Sequence, residues 1–268
     1  MKPASACAAA GCSGGTCGGE TIEMRRGVCV AVLDHLDSGL ETGKPELDAY
    51  LDVKAACALP RGLLERWIEA SAMERALPRC ATWKKLNELF AGSVGSAATL
   101  AATALMPDGA GASSLSDTLT GQVHAFAAAI GLIGVLENIG EDWKLGRLLL
   151  PLDDLVKFGL GERDIARFAE AGSTAGDDRW QNLMQFEADR IRNLFRGGSR
   201  ALSALADDGC RRAAAVVGVI AMNRFERLLS RGGDPFQTRM TTSAWRRLAC
   251  MPRAARLAVD PAAAAKVF

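Results

Sequence analysis

The chain has 268 residues, 49% of them hydrophobic, which is enough to bury one large core. Lysine and arginine number 32 and aspartate and glutamate 31, so the net charge of +1 gives no reason to expect nucleic acid or an anionic membrane as a partner. No signal-peptide pattern and no uninterrupted apolar run of roughly 18 residues occurs. We therefore expect a cytoplasmic protein without stable membrane insertion, whose oligomeric state the sequence leaves undetermined.

The N-terminal residues 1–19 are rich in alanine, glycine and serine, a composition that predicts a disordered leader. The eight cysteines are scattered along the chain and fit no common zinc pattern, as is typical of reduced thiols in a cytosolic protein. We expect one folded domain over residues 20–250, followed by a C-terminal tail over residues 251–268.

Residues 20–40 predict the first helix, whose end carries two acidic side chains. Asp34 and Asp37 are three residues apart, so both carboxylates can face the same side, with His35 beside Asp34. Acids at a helix end next to a glycine are commonly just solvated, so this pair does not define a site by itself.

The middle of the chain predicts a buried helix that ends in acidic residues. Serines and an aspartate at 114–117 can cap its start, and residues 125–136 are almost entirely apolar. Because residues four apart share a helix face, Gly134, Asn138 and Asp142 lie along one edge of this helix.

The end of the same helix resembles the squalene/phytoene synthases, which are all-helical enzymes acting on isoprenyl diphosphates. Their helix reads Asn-x-x-Arg-Asp-x-x-Glu-Asp and is followed by Gly-Arg-x-Tyr-Leu-Pro. This chain has Gly-Glu-Asp at 140–142 and Gly-Arg-Leu-Leu-Leu-Pro at 146–151. Gly134, Glu137 and Asn138 stand where the family has Asn, Arg and the first Asp, so the frame is kept while its chemistry is altered.

Four other segments resemble the family, at residues 80–83, 90–95, 183–190 and 232–239. The resemblance implies a single-domain isoprenoid-synthase-type helical bundle around a central apolar cavity. The absence of period-two alternation independently predicts an all-α fold.

The resemblance also implies a site where Mg²⁺ and basic side chains neutralise a leaving diphosphate. The implied magnesium ligands are Asp34, Asp37, Asn138 and Asp142. The implied diphosphate-binding residues are Arg239, Arg190, Arg75 and Lys144. The apolar chain and its acceptor are expected against Phe126, Ile130, Ile133, Leu136, Gly131 and Gly134. The acids at 153–154, in contrast, are expected to be surface capping residues.

A catalytic role is expected for Asn138, and Glu137 or His35 is the candidate base. The alternative for Glu137 is an ion pair with a neighbouring arginine. The alternative for His124 is a core histidine with satisfied hydrogen bonds.

The altered positions favour an acceptor other than a second prenyl diphosphate. Loss of a cation at 137 and of an amide at 134 predicts a wider, less charged cavity, which suits one prenyl diphosphate and a different, uncharged acceptor. The altered motif most resembles the squalene-synthase-like branch of the family that prenylates carbazoles. This resemblance implies a small aromatic acceptor such as a carbazole, in secondary metabolism. The alternatives are a head-to-head squalene/phytoene-type synthase or terpene synthase, and an inactive scaffold.

Overall fold

The computed structural model describes residues 34, 35, 38, 43–57, 59–106, 115–236 and 243–268. Within these residues the chain forms helices and no β-strand, apart from an isolated parallel bridge between Arg79 and Leu148. The all-α prediction is confirmed. The expected leader, most of the predicted first helix and two of the predicted site residues, Asp37 and Arg239, lie outside the described residues.

The helices follow one another with short connections. In chain order they are α1 (Pro45–Cys57), α2 (Arg61–Ala76), α3 (Trp83–Phe90), α4 (Ser96–Ala104), α5 (Asp117–Lys144), α6 (Leu152–Lys157), α7 (Glu162–Ala171), α8 (Asp178–Gly198), α9 (Asp208–Leu229), α10 (Ala244–Ala249), α11 (Met251–Val259) and α12 (Ala264–Val267). A π-helical turn (Ala91–Gly95) joins α3 to α4, and 3-10 turns occupy Ser199–Ala204 and Pro261–Ala263.

Helix α5 is the centre of the bundle. Ser116 caps its start by accepting a hydrogen bond from the Leu119 N–H at 3.2 Å. The helix is long and apolar enough to cross a membrane by length and composition alone. Its apolar residues are instead covered by α8, α9, α4 and the π-helical turn, and Leu132, Ile133 and Leu136 are fully buried. Burial in the bundle therefore accounts for its hydrophobicity.

Glycines allow the helices around α5 to approach closely. A Cβ atom at Gly198, in α8, would lie 2.3 Å from the backbone nitrogen of Phe126. A Cβ atom at Gly218, in α9, would lie 2.5 Å from the ring of the same phenylalanine. Phe126 is thus held between two helices at positions where only glycine fits.

The segment after residue 250 differs from the expected tail. Leu257, in α11, and Val267, in α12, are buried in a second apolar cluster together with Val219 of α9. Phe268 stacks on the ring of Phe195 with centroids 4.2 Å apart. The helical spacing of Ala254, Leu257 and Ala258 supplies the apolar stripe that packs here, and its small alanines make this stripe weak in the sequence.

A backbone crossing fixes the end of α5 against the start of α3. The Cys80 N–H donates to the Leu148 carbonyl at 3.1 Å, and the Leu148 N–H donates to the Pro78 carbonyl at 2.9 Å. The Leu152 N–H then donates to the Cys80 carbonyl at 2.9 Å. Two of the segments that resemble the family therefore meet in space and hold the C-terminal end of α5 in place.

Candidate active site

Glu137 lies on α5, where its carboxylate meets Arg224 of α9. Arg224 Nε donates to Glu137 Oε1 at 3.0 Å, and Nη2 donates to Oε2, so both carboxylate oxygens are engaged. The Glu137 side chain is 6% exposed and that of Arg224 is 35% exposed. The hydrogen bonds to Glu137 raise the pKa of Arg224 further above its ordinary value. The structure therefore has the ion pair that was the alternative to a free base.

The face of α5 beside this pair combines an amide with open space. Asn138 is half-buried, and its Nδ2 donates to the Gly134 carbonyl at 2.8 Å, which turns the amide back along the helix. A Cβ atom at Gly134 would meet nothing within 4 Å, whereas one at Gly131 would lie 3.1 Å from the Phe90 ring. Only Gly134 of the two predicted glycines leaves room for a ligand, because Phe90 fills the space beside Gly131.

Asp142, at the end of α5, is paired with the arginine of the Gly-Arg motif. Arg147 Nη2 donates to Asp142 Oδ1, and the Arg147 N–H donates to the Asp142 carbonyl at 2.8 Å. The Asp142 side chain is 11% exposed. Within the described residues Arg147 Nε is buried without a hydrogen-bond partner. This aspartate therefore closes the turn after α5 and has a guanidinium against one oxygen.

The acidic residues near position 34 are exposed. Asp34 pairs with Arg61, at the start of α2, through a 2.7 Å contact. His35 is exposed, and its carbonyl accepts a hydrogen bond from the Ser38 hydroxyl at 2.6 Å. His124, by contrast, is half-buried on α5, where desolvation and then the charge of Arg66 lower its pKa. Burial thus disfavours the charged form of the His124 imidazole.

Arg190, which the family resemblance implies as a diphosphate-binding residue, is bonded to two acidic side chains of the protein. Its Nη1 donates to Asp154 Oδ2 at 2.7 Å and to Glu187 at 2.8 Å, and Nη2 donates to Asp154 Oδ1 at 3.0 Å. Its guanidinium lies over the rings of Trp83 and Phe186, 4.5 and 4.7 Å from their centroids. Because two acidic side chains accept its hydrogen bonds and two aromatic rings lie against its guanidinium, we assign Arg190 a structural role.

The two acidic residues that pair with Arg190, Asp154 and Glu187, are buried. This corrects the prediction that Asp154 is a surface residue. Its side chain is 8% exposed, and that of Glu187 is fully buried. Burial raises the pKa of Glu187 to about 8, against the opposing charge of Arg190. Asp153 does act at the helix start, since its Oδ1 accepts from the Asp154 N–H at 2.9 Å.

Two other predicted phosphate ligands lie on the surface. Arg75 is exposed near the end of α2, and its Nε donates to the Ser71 carbonyl at 3.3 Å. Lys144 is 69% exposed and pairs with Glu141 at 2.8 Å. The structure shows neither side chain at the apolar cavity, so their binding roles stay predictions.

An apolar cavity of about 440 Å³ lies between α4, α5, α9 and the turn Ser199–Ala204. Phe126 and Ile130 line it, as the sequence predicts, together with Ala98, Leu202 and Val217. Ile133 and Leu136 are fully buried in the core instead and do not line it. The cavity belongs to the size class of small-molecule sites, about 300–1,000 Å³, and its lining suits a hydrocarbon chain.

The described residues do not by themselves fit a magnesium ion. They contain no group of three or more His, Cys, Asp or Glu side chains placed to hold a metal. Asp34 and Asp142 each face a guanidinium, and the Asn138 amide donates to backbone. Mg²⁺ prefers several oxygen ligands in one octahedral shell.

Three residues that form ion pairs in and around the candidate site were not predicted from the sequence. Arg224 gave no signal, because its partner is 87 positions away on another helix. Glu187 did carry a signal, since it shares the buried face of α8 with Leu183, Met184 and Ile191 at helical spacing. Arg61 is the first residue of α2, and its partner Asp34 is 27 positions away in the chain.

The last motif, at residues 232–239, is structural as far as it is described. Gly232 and Gly233 have φ of +77° and +68°, a conformation that favours glycine. Asp234 accepts hydrogen bonds from the Ser173 hydroxyl at 2.8 Å, the Thr174 N–H at 3.1 Å and the Phe236 N–H at 2.9 Å. The motif thereby ties the end of α9 to the loop before α8.

A helical bundle that encloses an apolar cavity, with polar residues along the adjoining face of its central helix, defines the isoprenoid-synthase class. More specifically, residues 21–246 match the squalene/phytoene synthase family, and the chain belongs to it. Members of this family are prenyltransferases.

Solved structures agree in fold. The squalene synthase HpnC from Alicyclobacillus acidocaldarius superposes with a TM-score of 0.67 at 22% identity, covering 82% of this chain and 77% of that one. A dehydrosqualene synthase in complex with ligand gives a TM-score of 0.74 at 16% identity, covering 87% and 77%. At such identities the likeness establishes the fold alone.

Curated relatives include phytoene synthases. The 15-cis-phytoene synthase of Synechocystis sp. is 39% identical over 84 residues, which is 31% of this chain and 23% of the relative. The 15-cis-phytoene synthase of Synechococcus elongatus is 29% identical over 140 residues, which is 50% of this chain and 41% of the relative. The matched segments thus span less than half of either relative.

Proposed function

We propose that this protein transfers the prenyl group of one allylic isoprenyl diphosphate to a small, uncharged aromatic acceptor. The observation that carries the proposal is the cavity of about 440 Å³ along α5. A non-hydrogen atom with its hydrogens takes up roughly 30 Å³ in a liquid, so this volume suits one chain of about fifteen carbons. Two such chains side by side need about twice that space.

The acceptor is proposed to lie beside Gly134. The space there is open, and Ala221 stands at the position on α9 where the family has a tyrosine, so a flat ring meets little bulk from either helix. An uncharged acceptor also avoids a second diphosphate in a mostly apolar site.

The proposed chemistry is electrophilic aromatic substitution. The bond between C1 of the prenyl group and the diphosphate oxygen breaks, and the diphosphate leaves with the electron pair. A ring carbon of the acceptor then bonds to C1, and the ring proton passes to the released diphosphate. Glu137 is not assigned as the base, because Arg224 engages both of its oxygens. The apolar lining keeps water from the allylic cation.

Head-to-head condensation is the second candidate. It is favoured by the phytoene synthase relatives. It is also favoured by Arg224, whose charge cancels that of Glu137, so that Glu137 does not repel a second diphosphate. A cavity that fits one chain stands against it.

The test is incubation of the full chain with geranyl, farnesyl or geranylgeranyl diphosphate, with and without carbazole or indole, and product analysis by mass spectrometry. We expect a C-prenylated aromatic product, formed best with the farnesyl donor. A head-to-head hydrocarbon formed without acceptor would replace this proposal by the second candidate. No product from any mixture would favour an inactive scaffold.

A matched pair of variants tests the cavity. Ile130→Trp fills it and should abolish transfer from farnesyl diphosphate, because Ile130 lines its wall. Val156→Trp places the same ring on the surface of α6, where Val156 is 71% exposed, and should leave transfer unchanged. Equal activity of both variants would place the prenyl chain elsewhere.

The predicted need for Mg²⁺ is tested separately with excess chelator and with Asp142→Ala. Loss of transfer in chelator, restored by Mg²⁺ alone, would support the metal prediction. Full activity in chelator would mean that guanidinium groups neutralise the leaving diphosphate. The cytoplasmic location likewise stays a prediction.

A further inference from the structure

We infer that Arg224 is a diphosphate-binding residue and that Glu137 positions it. The family resemblance expects an arginine at 137, on α5. This chain has a glutamate there and brings a guanidinium to the same place from α9. The positive charge is therefore relocated to the facing helix. The inference rests on the proposed function, since it identifies a contact for the leaving group of that reaction.

The geometry of the pair leaves part of the guanidinium available. Glu137 takes Nε and Nη2, which is one edge of the planar fork. Within the described residues, Nη1 of Arg224 has no partner. Because the carboxylate is 6% exposed and the arginine side chain 35% exposed, the acid lies beneath and the guanidinium lies towards solvent. A guanidinium held along one edge presents its other N–H groups in a fixed direction, as binding a phosphate oxygen requires.

The position along the helices matches the length of a prenyl diphosphate. Ile130 of α5 and Val217 of α9 line the cavity. Glu137 follows Ile130 along α5 by roughly 10 Å, at about 1.5 Å per residue, and Arg224 follows Val217 along α9 by the same distance. A diphosphate at Arg224 therefore lies beyond one end of the cavity, as the polar head of a chain inside it must.

The acidic residues of α5 near Arg224 are compensated, so they do not oppose an anion there. On α5 the acidic residue one turn beyond Glu137 is Glu141, which is exposed and paired with Lys144. Glu137 itself is neutralised by Arg224.

Binding of inorganic pyrophosphate to the full chain tests this inference without requiring any reaction. Calorimetric titration would compare the wild type with Arg224→Met and with Arg212→Met. Arg212 is 60% exposed near the start of the same helix, so its variant removes the same charge away from the site. We expect Arg224→Met to weaken pyrophosphate binding by roughly tenfold or more, as loss of a charge-assisted hydrogen bond does. Arg212→Met should bind as the wild type does.

A second variant guards against a folding defect. Arg224→Met leaves a buried carboxylate unpaired, whereas Glu137→Gln with Arg224→Met removes both charges together. The double variant should have a melting temperature close to that of the wild type. Its affinity for pyrophosphate should be as low as that of Arg224→Met. Glu137→Gln alone should bind it several-fold more tightly, since Arg224 then carries an uncompensated charge.

The outcomes separate this inference from the proposed function. Pyrophosphate binding that is equal in Arg224→Met and Arg212→Met, or absent from the wild type, would overturn the role of Arg224 even if prenyl transfer is observed. Selective loss of pyrophosphate binding in Arg224→Met, in a chain that forms no prenylated product, would support Arg224 while refuting the proposed function.

Discussion

Arg190 and Arg224 each hold a buried glutamate, but their surroundings differ. Arg190 is 15% exposed, is bonded to two carboxylates and lies over two aromatic rings. Arg224 is 35% exposed, bonds to one carboxylate and stands beyond the end of an apolar cavity. The role of each arginine therefore depends on how many of its N–H groups are already hydrogen-bonded to side chains of the protein. The first arginine holds helices together, and the second retains capacity for a ligand.

The largest effect expected from this comparison is on stability. Arg190→Met leaves the Asp154 carboxylate buried without its cation and removes a hydrogen-bond donor from the buried Glu187 side chain, which should lower the free energy of unfolding by about 3–5 kcal/mol. Arg224→Met should lower the free energy of unfolding by about 1–3 kcal/mol, because the Arg224 side chain is 35% exposed and its removal lets water reach Glu137. Urea denaturation of both variants measures the difference, with Arg212→Met as control. Equal losses would mean that the two arginines are equally structural.

The next effect concerns pH. The folded state raises the pKa of Glu187 to about 8, so it binds this proton more tightly than the unfolded chain does. The stability from this group is fully present below the ordinary pKa of 4.5 and is lost as pH rises through 8. Glu187→Gln should therefore remove a decline on the order of 2–4 kcal/mol between pH 5 and 9.

Thermal melting across that pH range measures the effect of Glu187→Gln. Asp189→Asn is the matched control, because Asp189 lies on the same helix and its side chain is 62% exposed. If the melting temperature of Glu187→Gln changed with pH as that of the wild type does, Glu187 would remain ionised beside Arg190. The pair Glu187–Arg190 would then resemble the pair Glu137–Arg224.

The smallest expected effect is on stability and concerns the open space beside Gly134. Gly134→Ala adds a methyl group that meets no atom within 4 Å and replaces a helical glycine, so it should stabilise the protein by about 0.5–1 kcal/mol. Gly131→Ala places the same group 3.1 Å from the Phe90 ring and should gain less or lose stability. Differential scanning calorimetry of the two variants compares them. A destabilising Gly134→Ala would mean that the space is filled.

The sequence predicted the fold well because the evidence for it is local. The apolar run and capping residues of α5, together with the Gly-Arg-x-x-Leu-Pro frame, suffice to place the central helix and its end. Phe126 and Ile130 were placed at the cavity for the same reason, since their position on the helix follows from spacing. The segment 251–268 was missed because its packing stripe consists largely of alanine.

The site was predicted less well because charge pairing is not local. Glu137 and Arg224 are 87 residues apart, and Asp154 and Arg190 are 36 apart, so neither pair can be found from helical periodicity. Arg190 was predicted to bind phosphate because an arginine in a matching motif looks the same whether its partner is a substrate or a buried acid.

The hydrophobicity of α5 has a consequence for synthesis of the protein. α5 leaves the ribosome before α8 and α9, which later cover it. The end of α8 follows the end of α5 by about 50 residues, which at roughly 5–20 residues per second takes several seconds. During that interval α4 and the π-helical turn, which precede α5, can cover it only in part, and by length and composition the helix is apolar enough to be received by a membrane or a chaperone. Slower translation just after α5 should therefore increase misdirected or aggregated chains.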